Sequence, residues 1–259
     1  MIHPTALISP SALLASDVEA GPYAIIEDGV VLGAGCRVLA HAQVLTGTVM
    51  GPGNTVDRGA IIGGEPQSIG FDPKTVSRVR IGAGNLFREH VTVHRSACPG
   101  GETVIGDHNF LMANCHVGHD SVMGDSCVIA NAVLIGGHVT IGNRCFLGGG
   151  SGYHQFIRVG DLVMVQGNSS FSCDIPPYCI GHDTNLLAGL NVIGLRRAGL
   201  DSGARMELKR LYRAIFQDAL GPVKAAATLL EETTSATGRT FLSFIAGTGS
   251  KGLSTPGTG

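Results

Sequence analysis

A six-residue period runs through most of this chain, with an aliphatic third position that is often followed by glycine. Val79-Arg80-Ile81-Gly82-Ala83-Gly84, Thr103-Val104-Ile105-Gly106-Asp107-His108 and Val139-Thr140-Ile141-Gly142-Asn143-Arg144 show the pattern. From Ile8 the third positions run through Leu14, Ala20, Ile26, Leu32, Val38, Val44, Met50, Val56 and Ile62. They resume as Ile81, Phe87 and Val93, break again, and continue from Ile105 in steps of six to Phe171 and Pro177. A period held this long specifies a repeat architecture, in which each unit buries its apolar face only by stacking on the next. An amphipathic helix needs a 3.6-residue period, and a β-sandwich shows alternation broken by irregularly spaced turns. Both fail on spacing.

One hexad makes one side of a prism. A short flat strand sends one aliphatic side chain inward, and the corners favour Gly, Asn and Asp, which tolerate turn conformations best. Three sides close a coil after eighteen residues, so residues i and i+18 stack at the strand spacing of about 5 Å and pair their backbones in parallel. In proteins that this pattern resembles, hexapeptide repeats encode a left-handed parallel β-helix. That fold is expected for residues 1–182. A regular coil absorbs extra residues only as loops thrown out at a corner, and two are expected, at 65–78 (EPQSIGFDPKTVSR) and 96–102 (SACPGGE). Loops on such scaffolds commonly line ligand sites.

Residues 183–259 form a C-terminal extension that reads as mostly helical. Leu208, Leu211, Tyr212, Ile215 and Phe216 make an apolar helical stripe. Pro222 starts a second helix ahead of Val223, Ala226, Leu229 and Leu230, and Phe241, Phe244 and Ile245 mark a third. The tail from Thr248 is expected to be loose.

Composition fits small coils with many corners: 39 of 259 residues are glycine and none is tryptophan. Collagen would need glycine at every third position. No signal peptide and no eighteen-residue apolar run is present, which predicts a cytoplasmic chain without stable membrane insertion. A net charge of -2 with no basic stripe at the coil period argues against nucleic acid as a partner. Of seven cysteines, Cys36, Cys115, Cys127 and Cys145 occupy the small first position of hexads. Cys127 and Cys145 are eighteen apart and are expected to be neighbouring reduced thiols rather than a disulfide.

The eighteen-residue rule places His119, Gly137 and Gln155 in one column. His116 lies in the same hexad as His119, His138 adjoins Gly137, and His154 adjoins Gln155. An imidazole can take a proton from a hydroxyl or amine nucleophile and pass it to a leaving thiol. Asp120 follows His119 and can orient its ring, while Gly137 can bring a bare backbone N–H to the same spot, as an oxyanion site requires. A lone corner histidine is ordinarily solvated surface; a cluster around one corner is a different observation.

Those motifs carry a family likeness over nearly the whole chain. The sequence resembles the UDP-N-acetylglucosamine 3-O-acyltransferases that begin lipid A synthesis. The family's general-base motif appears as Asn114-Cys115-His116-Val117-Gly118-His119-Asp120, its glycine–histidine pair as Gly137-His138, its His-Gln-Phe signature as His154-Gln155-Phe156, and its late motif as Asn191-Val192-Ile193-Gly194-Leu195-Arg196-Arg197. The resemblance implies His119 as base, Gly137 as backbone oxyanion donor, and His138 as a substrate contact. It also implies substrate-binding roles for His116, His154, Gln155, Asn191, Arg196, Arg197 and Gln67, and places Gly167 where the family measures its acyl chain. The donor implied is a fatty acyl chain, usually 3-hydroxylated, on acyl carrier protein; the acceptor is the UDP-sugar; the assembly is a homotrimer with sites between subunits. No cofactor or metal is implied. Arg196 and Arg197 with Lys209, Arg210 and Arg213 form the one basic cluster, suited to an acidic carrier protein or a diphosphate.

Two departures from the family pattern concern the acceptor. Where the family has Pro-Gln-Asp-Leu-Lys, this chain has Pro66-Gln67-Ser68-Ile69-Gly70-Phe71-Asp72-Pro73-Lys74. Ser68 stands for the aspartate and Gly70 for the lysine, with Asp72 or Lys74 available as displaced substitutes. Ala198 replaces a second late arginine. A 3-amino analogue of the sugar, giving an amide, is therefore an alternative acceptor. Other readings of the scaffold are an N-acyltransferase acting on amino sugars with acetyl-CoA or acyl carrier protein, a zinc hydratase of the γ-carbonic-anhydrase type in which His116, His119 and His138 converge on one metal across a subunit boundary, and a non-catalytic scaffold or nucleotide-sugar-binding protein.

Overall fold

Leu7–Ile8 pairs in parallel with Ile25–Ile26, and Leu13–Leu14 with Val31–Leu32, the offset of eighteen that the hexads require. The structure is a computed structural model and describes residues 1–217 and 220–257. Among those residues the stacked pairs build three sheets of nine, eight and eleven strands, one for each side of a left-handed parallel β-helix. The third hexad positions form its core. All are buried except Ile8 and Leu14, which are half-buried on β-strands that, among the described residues, form the edges of their sheets.

At the two interruptions Val93 stacks on Ile62 and Val117 on Val93, offsets of 31 and 24 residues. The extra residues leave as loops and the prism continues in register. Arg78 and Glu102, read from sequence as loop residues, instead open the paired strands Arg78–Ile81 and Glu102–Ile105 and face each other.

The corners differ from the expectation of Gly, Asn and Asp. From Asn114 to Asn168 every sixth residue has positive φ, and the series includes Ser126, Ala132, His138, Arg144, Phe156 and Leu162. A left-handed conformation costs a non-glycine residue of order 1–3 kcal/mol. Here it is offset because the strained residue's N–H continues the stacking ladder: His138 N donates to His119 O at 2.9 Å, and Phe156 N to Gly137 O at 3.2 Å. Cys127 and Cys145 are free thiols inside a corner, donating to the carbonyls of Gly142 and Gly160 at 3.1 Å each.

Past Phe171 the chain forms a hairpin, Cys179–His182 against Leu186–Leu190, that extends the eleven-stranded sheet. Among the described residues four helices follow: α1 (Val192–Arg197), α2 (Ser202–Gln217), α3 (Pro222–Glu232) and α4 (Ala236–Ala246). The apolar stripe seen in the sequence is buried in α2 at Leu208, Leu211 and Ile215, against Phe241, Leu242 and Ile245 of α4. α1 lies in the late motif, and its six residues are too short to show a periodic stripe in the sequence. The stretch expected to be loose makes specific pairings. Thr255–Pro256 adds to the edge of Leu186–Leu190, and Ser254 N donates to Asp174 O at 2.8 Å. Thr258 and Gly259 lie outside the described residues.

Candidate active site

His116 belongs to the strand His116–Val117 of the nine-stranded face, and His119 occupies the corner that follows. Two adjacent columns meet at that corner. One is His119, Gly137, Gln155; the other is the left-handed series Asp120, His138, Phe156. The His119 ring lies so close over Gly137 that a Cβ there would stand 2.7 Å from both Cε1 and Nε2. Gly137 is therefore required by space; its φ is not positive. Among the described residues its N–H has no acceptor.

Asp120 holds the other edge of the ring. Its Oδ2 lies 2.7 Å from His119 Nδ1 and accepts from Ala97 N at 3.0 Å, while Oδ1 accepts from the Ser96 hydroxyl. The side chains of His119 and Asp120 are 12% and 11% exposed, which shelters this contact from water. Burial pushes the Asp120 carboxyl up, but the bonds from Ser96, His119 and Ala97 N outweigh it and hold it below its ordinary range. An ionised Asp120 accepts the Nδ1–H and leaves Nε2, the atom beside Gly137, as the basic nitrogen. Ser96 and Ala97 come from the second loop, whose role is thus to seat this carboxylate.

His138 stacks on Phe156 at 4.5 Å and 10°, meets His119 edge-on at 5.2 Å, and puts Nε2 3.7 Å from Asp120 Oδ2. His119, Asp120 and His138 bring their ligand atoms within 4.8 Å of one another, the one group among the described residues with metal-binding proximity. The His119–Asp120 contact has hydrogen-bond length. His116 stands apart from this group, with Nδ1 2.8 Å from Thr92 Oγ1, so one chain does not assemble the three-histidine set of a zinc hydratase.

His94 is a site residue that sequence reading missed. It is 8% exposed, meets His116 edge-on at 4.7 Å, and its Nδ1 is buried without a partner. Burial, then the nearby His116 and His119, lower its pKa to about 4. Burial, followed by His119, also lowers that of His116. A groove of about 750 Å³ runs along the nine-stranded face past Gln67, His94, His116, His119, Gly137, His154 and Gln155.

The remaining sequence candidates lie elsewhere. Asp72 caps a turn of the first loop, accepting from Lys74 N at 2.9 Å, and Lys74 lines a separate hollow with Glu65 and Arg78. Ser68 is exposed. Of this loop only Gln67 reaches the groove, so neither displaced substitute enters it within one chain. The loop is anchored by Arg95, also missed, whose guanidinium donates to the carbonyls of Thr75 and Pro73 and to Ser77 Oγ and lies 4.9 Å from the Phe71 ring. The Asn191 side chain is spent on the helix start, accepting from Gly194 N at 3.0 Å and donating to Leu162 O at 2.9 Å. Arg197 borders a hollow over the eleven-stranded face with Phe146, Met164 and Ile193, and Arg196 is exposed beside it. Gly167 sits at a corner over Gly149, outside the groove. Lys209 and Arg213 join Arg205 around a hollow of about 430 Å³ lined by Leu190, Met206 and Tyr212.

An acyl-(acyl-carrier-protein)–UDP-N-acetylglucosamine O-acyltransferase of Rhizobium johnstonii is 38% identical over 263 aligned positions, covering 100% of this chain and 96% of the relative. The chain belongs to this acyltransferase family. The relative of that name in Thermodesulfovibrio yellowstonii is 40% identical over 221 positions, 85% of each chain. The solved UDP-N-acetylglucosamine acyltransferase of Campylobacter jejuni superimposes with a TM-score of 0.92 at 32% identity, over 98% of this chain and 99% of that one. A family pattern described as UDP N-acetylglucosamine O-acyltransferase, domain 2, matches residues 174–254, and one described as bacterial transferase hexapeptide (six repeats) matches 102–137.

Proposed function

We propose that this chain transfers a fatty acyl group, 3-hydroxylated by family likeness, from an acyl carrier protein thioester to the 3-hydroxyl of UDP-N-acetylglucosamine, the first step of lipid A synthesis. The observation that carries the reading is a His119 ring whose Nε2 is packed against Gly137, a residue whose N–H is unbonded among the described residues, with Asp120 on the far side of the ring. The sugar hydroxyl gives its proton to His119 Nε2 as its oxygen attacks the thioester carbon. Gly137 N–H receives the tetrahedral oxygen, where a preorganised donor acts strongly because little solvent must reorganise. Collapse breaks the C–S bond, and the imidazolium returns the proton to the departing sulfur, giving ester and free thiol. His116, His154, Gln155 and Gln67 line the groove as acceptor contacts, and no cofactor is needed for these steps.

A homotrimer suits the separation of parts within one chain. Arg196, Arg197 and Asn191 lie by the eleven-stranded face, away from the histidine groove, and a three-fold assembly of prisms sets such faces side by side. The outward side of that face carries Leu86, Phe110, Val128, Phe146 and Met164 in an apolar row, with Phe146 41% exposed, as a subunit contact requires. The basic residues around the α2 hollow suit the acidic carrier protein. A cytoplasmic location follows from those substrates, and among the described residues no helix is long and apolar enough to cross a membrane.

The altered first loop supports a second reading, in which the acceptor is the 3-amino analogue and the product an amide. Ser68 carries no charge and Asp72 is used within its own turn. Offering carrier-protein thioesters of several chain lengths against both sugars separates the two. Turnover of UDP-N-acetylglucosamine to an ester supports the first reading, exclusive use of the amino sugar replaces it with the second, and no transfer to either removes both.

A further inference from the structure

The C-terminal stretch brings a cation beside His154, a lining residue of the groove. Lys251 is half-buried, with Nζ 3.4 Å from His154 Nδ1 and 5.6 Å from the centre of the Phe156 ring. Phe156 in turn stacks on His138, so the ammonium lies over the last ring of the Asp120, His138, Phe156 column, beside the column of His119.

Its place is set by the backbone on both sides. Asp174 N donates to Gly252 O at 3.0 Å and Ser254 N to Asp174 O at 2.8 Å, so Lys251 is tethered at the next residue. Asp174 itself is 2% exposed and receives Arg158 through two bonds of 2.7 and 2.8 Å. Arg158 also reaches Phe244 O of α4 at 3.2 Å, which fixes the stretch to the helical extension as well as to the coil.

The cation lacks what such a placement ordinarily supplies. Among the described residues no carboxylate pairs with Lys251. An ammonium has three N–H donors and no acceptor, and the single long contact to His154 leaves most of that capacity unused. His154 Nδ1 also has Gln155 O at 3.4 Å, so neither long contact commits the ring. His154 and Gln155 both line the groove. A lysine held over an aromatic face, beside an imidazole and without an acid, is complementary to an anion entering from the groove.

We propose that Lys251 and His154 form a phosphate-holding subsite at the side of the histidine groove, where His154 lines it. The inference rests on the proposed function for the source of the phosphate. Two sources share the chemistry: the diphosphate of the nucleotide sugar and the phosphodiester of the carrier protein's pantetheine arm.

The full-length chain tests this with Lys251→Met, which keeps the apolar stem over Phe156, and Lys251→Arg, which keeps the charge. Calorimetry with UDP alone measures the diphosphate arm without turnover. Steady-state KM for the UDP-sugar and for acyl carrier protein, with an acyl-pantetheine donor lacking the phosphate as control, separates the sources. The expected result for Lys251→Met is an increase of about tenfold in one KM, a smaller change in kcat, and recovery in Lys251→Arg. Weaker UDP binding together with a higher sugar KM assigns the diphosphate. A higher carrier-protein KM that vanishes with the phosphate-free donor assigns the phosphodiester. Unchanged KM values and UDP affinity in Lys251→Met, or a defect that Lys251→Arg does not relieve, overturn the proposal. Should the wild type transfer no acyl group, the function falls separately; tenfold weaker UDP binding in the variant then still supports the subsite, and equal or absent UDP binding overturns it.

Discussion

Gly137→Ala isolates geometry from chemistry, because alanine keeps the backbone N–H and adds only a methyl group. That methyl would stand 2.7 Å from His119 Cε1 and Nε2, against an ordinary carbon contact of about 3.5–4.0 Å. The ring must retreat by about 1 Å or swing away from Asp120, to which Nδ1 is held at 2.7 Å. A displacement of that size at the reacting atoms costs on the order of 100-fold in rate. Folding should be largely spared, since the φ of Gly137 is not positive and a compatible Gly→Ala change lowers unfolded-state entropy by about 0.4–1 kcal/mol. The assay is single-turnover acyl transfer beside thermal unfolding, with Gly137→Ala repeated on a His119→Ala background. There the added methyl has no ring to displace, so the second substitution should cost little and the cycle should be strongly non-additive. A kcat within threefold of wild type in Gly137→Ala, or a full 100-fold loss that persists without His119, would refute the reasoning.

Two further outcomes are expected. Arg95→Ala should loosen the first loop by leaving the Thr75 and Pro73 carbonyls without their charged donor, raising acceptor KM about tenfold and exposing residues 65–77 to limited proteolysis; an unchanged KM and cleavage pattern would contradict its anchoring role. His94, with its pKa lowered to about 4 from 6.5 chiefly by burial, contributes stability that is fully present above pH 6.5 and lost as pH falls toward 4, on the order of 3 kcal/mol. His94→Gln should reduce the slope of denaturant-measured stability across that window, leaving the part that His116, also lowered by burial, contributes; a slope identical to wild type would show that His94 does not titrate there.

The coil was legible because one physical demand, an inward aliphatic side chain every sixth residue, repeats from Ile8 to Pro177. Adding eighteen to His119 found Gly137 and Gln155 for the same reason. The rule failed where the chain leaves the coil. His94 lies below the second loop, where the offset is 24, and subtracting 24 from His116 gives Thr92, its observed partner. Arg95 and Ser96 act through loop carbonyls and a carboxylate, contacts that no periodicity encodes. Phe156 stands in the sequence only as part of a signature, and the left-handed corner that stacks it on His138 is one that an aromatic residue rarely adopts. Lys251 is brought back by Asp174, and a sequence read in hexads has no signal for a strand that returns from beyond the helices.

The central claim is that the His119 column performs acyl transfer to the sugar 3-hydroxyl. The most direct measurement is single-turnover reaction of a 3-hydroxyacyl carrier protein with UDP-N-acetylglucosamine, using wild type, His119→Ala and His116→Ala, with the product's bond identified by mass spectrometry. The account predicts a 3-O-ester from wild type, a rate lower by roughly 10²–10⁴-fold in folded His119→Ala, and a smaller loss in His116→Ala, since only His119 has both Asp120 and Gly137 against its ring. Absence of ester from the wild type, or a His119→Ala rate near normal, would contradict it.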